Sequence, residues 1–200
     1  MTAAGYGSRF AIAVGVVAIV SAASLAVFFV VGDPFGTIND VANAVLGVGC
    51  GWLALTLRSA SSRGATGSVI AATTGAVITV IGSGLIVSST TGFFLAGLVS
   101  SVGFGLIGVW VVALNRDFSA SLPRWLSRLG VGAGSAMALG LVAIPGVIFR
   151  LDDFNSAPGW IWIALVSWLG VYVLLPVWAI LLGRLLRRGV EPAALPTTGT

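Results

Sequence analysis

The chain alternates between long apolar stretches and short polar clusters, and the apolar stretches are long enough to count as membrane spans. Crossing the hydrocarbon core of a bilayer takes about 20 residues of helix. Residues 10–31 supply one span, 37–57 a shorter second, 129–149 a fifth and 159–183 a sixth. Between Gly64 and Asn115 there is room for two more, 68–87 and 93–114, joined by a turn at Ser88-Ser89-Thr90-Thr91-Gly92. These runs are apolar on every face and lack the alternation of a membrane β-strand. The predicted fold class is therefore all-α, a polytopic integral membrane protein built as a six-helix transmembrane bundle. It forms one domain over residues 1–189, followed by a disordered cytoplasmic tail at 190–200.

Composition leads to the same place. Hydrophobic residues make up 58% of the chain and charged residues 8%, against about 25% charged in an average soluble domain. A chain of this length cannot hide so much apolar surface from water, so lipid is its solvent, and every backbone polar group must be satisfied within helices. In a six-span arrangement nine of the ten arginines fall at one end, with only Arg150 at the other among Asp33, Asp40, Asp152 and Asp153. An arginine excess marks the cytoplasmic side, which predicts an N-in/C-in topology. Arginine without lysine, alongside abundant alanine, glycine and valine, suggests a GC-rich bacterial genome and makes the plasma membrane the expected location. Arg9 before an apolar run ending near Ser21-Ala22-Ala23 has the outline of a signal peptide. The run continues through Phe28, Phe29 and Val31, so a retained span is expected.

The residue types present exclude much chemistry. With no histidine and no lysine, the chain cannot build a bis-histidine haem, a retinal Schiff base, a histidine-ligated zinc site or a serine–histidine dyad. Cys50 stands alone, without a partner for an internal disulfide. No acid or base lies at the centre of a predicted span, the usual mark of a proton relay. No cofactor, no enzymatic activity and no nucleic-acid partner is expected. Asn43, Thr73, Thr74, Thr79, Ser83, Ser100, Ser101, Ser135 and Ser167 fall within spans, where such groups act mainly as hydrogen-bonding glue.

Small residues mark where helices approach closely. Gly47 and Gly51 recur one turn apart with Asn43 in the second span, and Gly130 and Gly134 with Ala138 in the fifth, both as small-xxx-small stripes. Pro145 and Pro176 each remove a helix hydrogen bond and predict kinks in the last two spans. Ser121 and Pro123 predict a capped helix start, and Leu122-Pro123-Arg124-Trp125-Leu126 resembles a phrase of small bacterial multi-spanning proteins. That resemblance covers a few residues and implies no activity.

The acidic end carries the candidate site. Asp33, Asp40, Asp152 and Asp153 are candidate oxygen ligands for a hard cation such as calcium, and Asn39, Asn43, Asn155 and Trp160 are candidate binding residues beside them. Phe35, Phe154 and Trp162 could help to wall a pocket there. Competing with this, Thr37-Ile38-Asn39-Asp40 matches a capping box and Asp33-Pro34 a helix start. A second helix starting nearer Phe35 would draw Asp40 and Asn43 below the outer interface. Leu195-Pro196-Thr197-Thr198-Gly199 matches the pentapeptide cut by sortases, but without the apolar segment that must follow it, and reads as coincidence. The sequence thus favours a non-enzymatic module that packs through its glycine faces against a second copy or another membrane protein. A small transporter or channel for a neutral or amphipathic solute is the alternative.

Overall fold

The computed structural model describes residues 3–58, 65–119, 121–155 and 157–188. Arg63 and the tail at 190–200, with its Leu195–Gly199 segment, lie outside the described residues. Among the described residues the regular structure is all-helical, and six helices are long and apolar enough to cross a membrane. They are α1 (Ala3–Val31), α2 (Phe35–Leu57), α3 (Ala65–Val87), α4 (Phe93–Asp117), a fifth span made of α5 (Arg124–Ala138) and α6 (Ile144–Ile148), and a sixth made of α7 (Ile161–Leu169) and α8 (Leu175–Arg187).

Consecutive spans pack side by side, and the sixth returns to the first, so the bundle closes as a ring. Because neighbours run antiparallel, Arg9, Arg58, Arg116, Arg124, Arg128, Arg184, Arg187 and Arg188 gather at one end. Asp33, Asp40, Arg150, Asp152 and Asp153 gather at the other. Large apolar side chains such as Val48, Trp52, Ile70, Val77 and Ile81 point outward. Lipid is the solvent that suits such a surface.

Several helix ends differ from those predicted. Span two begins at Phe35, after a turn in which Gly32 adopts φ +86°, a conformation that glycine takes without a Cβ clash. Thr37 therefore sits inside the first turn and no capping box forms, while Asn39 turns inward and is buried. Ser121 likewise makes no side-chain cap on α5, which starts after Pro123. Charged residues end the predicted spans early because they mark the interface, yet α4 runs on through Asp117 and buries Asn115.

Both prolines act as their chemistry requires, by different routes. Pro145 has no N–H for the Leu141 carbonyl, and the helix tightens into a 3-10 segment, Leu139–Ala143, in which the Ile144 N–H reaches that carbonyl instead. Ahead of Pro176 the helix widens into a π-turn, Gly170–Leu174, where the Leu175 N–H reaches five residues back to the Gly170 carbonyl.

Candidate functional site

Those two irregularities shape the acidic half of the bundle. Span one packs tightly along α8: a Cβ at Gly15 would meet Ile180 and the Pro176 carbonyl, Gly183 lies against Ser8 and Ile12, and the Ser8 hydroxyl donates to the Gly183 carbonyl at 2.8 Å. Beyond the π-turn that contact lapses, because α7 packs instead against spans four and five. Between the far part of α1, the start of α4 and α7 the bundle is left with an apolar side pocket of about 500 Å³. Leu25, Phe29, Phe94, Leu98, Phe154 and Leu165 supply its walls.

Beside that pocket lies a smaller, partly open polar chamber of about 30 Å³, lined by spans two, three, four and six. Asn39, Asp40 and Asn43 of α2, Gly82 and Ile86 of α3, Ser100 of α4 and Tyr172 of the π-turn line it. Phe93, Gly97, Ser101 and Trp168 line both cavities and form the wall between them. Trp168 is fixed there by its indole N–H, which donates to the Ser101 hydroxyl at 3.0 Å, and by an edge-on contact with Tyr172. Gly97 is the thin place in the wall. A Cβ added there would meet only Trp168, at 3.6 Å, so close helix packing does not require this glycine.

One side of the chamber is held by a closed hydrogen-bond network among three spans. Asn39 Nδ2 donates to the Ser21 carbonyl and hydroxyl, both at 2.9 Å, and Asn43 Nδ2 donates to Asn39 Oδ1 at 3.2 Å and to the Tyr172 hydroxyl at 3.0 Å. Asn43 Oδ1 accepts in turn from Ser21 at 2.9 Å and from Tyr172 at 3.3 Å. Buried amides cost free energy unless paired, and here each finds partners. The network is scaffold, and it sets Tyr172 in place through the π-turn.

Two polar groups of the chamber stand outside that network. Asp40, about 8 Å below the start of α2 at 1.5 Å per residue, is half-buried, and no hydrogen bond or ion pair to its carboxylate forms among the described residues. The Ser100 hydroxyl, in contact range of Gly82, makes no hydrogen bond among them either. Thr73, Thr79, Ser101 and Ser167 behave as glue, bonding back to carbonyls of their own helices, whereas the buried Ser83 hydroxyl of α3 has no hydrogen-bond partner among the described residues.

The remaining sequence candidates go elsewhere. Asp152 accepts from the backbone N–H of Gly92 at 2.7 Å and of Leu95 at 3.1 Å, so it caps α4 across 60 residues of sequence. Asp153 accepts from the Asn155 N–H within its own loop, Asp33 lies exposed in the first turn, and Trp160 packs against the small core around Leu98 and Ile161. Of the expected aromatic walls, Phe154 lines the side pocket, edge-on to Phe94 and Trp162. Among the described residues no three acids come together as metal ligands. Gly47 and Gly51 lie against Thr79 and Ala76 of α3, Gly134 against Gly108 and Val112 of α4, and Gly130 against Asn115. Sequence reasoning missed Ser21, Trp168 and Tyr172 as site residues. The available signal was the pair Asn39 and Asn43, one turn apart in an apolar span and in need of partners. No family model, no curated protein and no solved structure matches this chain.

Proposed function

We propose that this chain is a non-enzymatic plasma-membrane protein of the small-transporter type, which takes an amphipathic solute sideways from the lipid and holds its polar end inside the bundle. The observation that carries this reading is the meeting of an apolar side pocket with a polar chamber at Gly97, Ser101 and Trp168. A two-ended molecule fits a two-part cavity. The larger part, at about 500 Å³, falls in the range of about 300–1,000 Å³ common for small-molecule sites. The arginine excess at the opposite end supports termini in the cytoplasm and a site in the outer half.

Assembly through the glycine stripes draws less support, since Gly47, Gly51, Gly130 and Gly134 are covered by neighbouring side chains of the same chain. The test uses protein in phosphatidylcholine nanodiscs and radiolabelled dodecanol, with protein-free discs subtracted. Saturable binding is expected, and Gly97→Leu should remove it by filling the wall between the cavities. No saturable binding to the wild type, or undiminished binding to Gly97→Leu, would overturn the reading.

A further inference from the structure

Resting on that reading, the chamber also specifies the polar end of the solute. Asp40 and Ser100 face it without partners among the described residues, while the amides around them are mutually satisfied and offer no free donor. Among the described residues no basic side chain lines either cavity. The one described base at this end of the bundle, Arg150, is exposed. The chamber therefore presents a carboxylate and a hydroxyl, an arrangement that attracts a cation and repels an anion.

Size narrows the choice further. A volume of about 30 Å³ accommodates about one or two groups the size of water. An ammonium of three N–H donors is such a group, whereas a trimethylammonium or a sugar is not. We propose that the solute is a primary long-chain amine, its ammonium paired with Asp40 and hydrogen-bonded to Ser100, and its alkyl chain lying past Gly97 and Trp168 in the apolar pocket. At a half-buried carboxylate an ion pair keeps more of its attraction than in open water, so Asp40 provides selectivity and the apolar pocket provides most of the retention.

The test compares radiolabelled dodecylamine, dodecyltrimethylammonium and dodecanol in the same nanodiscs. Wild-type protein is expected to bind dodecylamine at least about tenfold more tightly than either of the others. Asp40→Asn should erase that preference, with the folding of the variant checked by its thermal unfolding midpoint in detergent; Ser100→Ala should weaken dodecylamine by a smaller factor. Equal binding of dodecylamine and dodecanol by wild type, or a preference that survives Asp40→Asn, overturns the amine assignment while leaving the amphipathic site standing. Failure of all three probes to bind wild type overturns both. The wild-type comparison between primary and trimethylated head needs no variant, so the assignment stays falsifiable if Asp40→Asn does not fold.

Discussion

Trp178 donates its indole N–H to Asn115 Oδ1 at 3.1 Å, with both side chains fully buried in the arginine-rich half. The Asn115 amide also donates to the Val111 carbonyl at 2.8 Å, and its backbone carbonyl accepts from Ser127 at 2.9 Å, so one residue joins spans four, five and six. Gly130 makes room for it, because a Cβ there would overlap the amide. Trp178→Phe keeps most of the bulk and removes the donor. The expected cost is about 1 kcal/mol, in line with hydrogen bonds between spans, measured by denaturation in mixed micelles. Solute binding should not change, since the cavities lie in the other half; an unaltered unfolding curve would mean that Asn115 finds another partner.

Glycines in this chain divide into two kinds that a substitution series can separate. A Cβ at Gly134 would meet the Gly108 carbonyl at 2.6 Å and the Val112 nitrogen at 2.8 Å, whereas nothing lies within 4 Å of one at Gly84. Gly134→Leu is expected to lower stability by about 1–3 kcal/mol through overpacking. Gly84→Leu should stay within about 0.5 kcal/mol. Equal effects at the two sites would show that helix propensity rather than packing governs these positions.

The spans were legible because charge is costly in lipid, so intervals without charge reveal where helices cross. The site was not, for a geometric reason. Tyr172 and Asn43 are 129 residues apart and meet only because the sixth span closes the ring against the first, which brings Tyr172 within reach of the second. Asn115 was hidden by its neighbours: Arg116 and Asp117 marked the end of a span, but the helix continues through them and turns Asn115 inward. Asp152 was legible as a residue of the acidic end, but not as the cap of a helix 60 residues earlier.

That cap makes a further prediction. Asp152 holds two of the free N–H groups at the start of α4, so Asp152→Ala should cost about 1 kcal/mol, the usual loss at a helix N-cap. Thermal unfolding in detergent measures it. Millimolar calcium should leave the wild-type transition where it is, because the carboxylate already has its donors and no three acids among the described residues gather around a cation site. A calcium-dependent rise would instead restore the cation reading for Asp152 and its neighbours.

Topology can be read with single cysteines and a membrane-impermeant maleimide. Cys50 is fully buried, so the native thiol should contribute little background. With the arginine-rich end in the cytoplasm, Ser89→Cys should label in intact cells and Trp125→Cys only after permeabilisation. Both positions are exposed, in the turn after α3 and at the start of α5. Labelling in the reverse order would invert the orientation and place the cavities on the cytoplasmic side.

Pro176 ties the shape of the sixth span to the opening of the side pocket. It begins α8 just after the π-turn, where the sixth span ceases to follow α1 and the side pocket opens. Pro176→Ala supplies the missing N–H and lets the helix run straight, a gain of up to about 1 kcal/mol, the typical net worth of a hydrogen bond. A straight helix would carry α7 back toward α1, narrow the apolar pocket and move Tyr172 away from Asn43, and the loss of that buried pairing offsets the gain. Dodecanol binding should then fall while the unfolding midpoint changes little. If binding and stability rise together, or if binding is indifferent to the change, the π-turn is a packing accommodation and the pocket owes its opening to the loops at the acidic end.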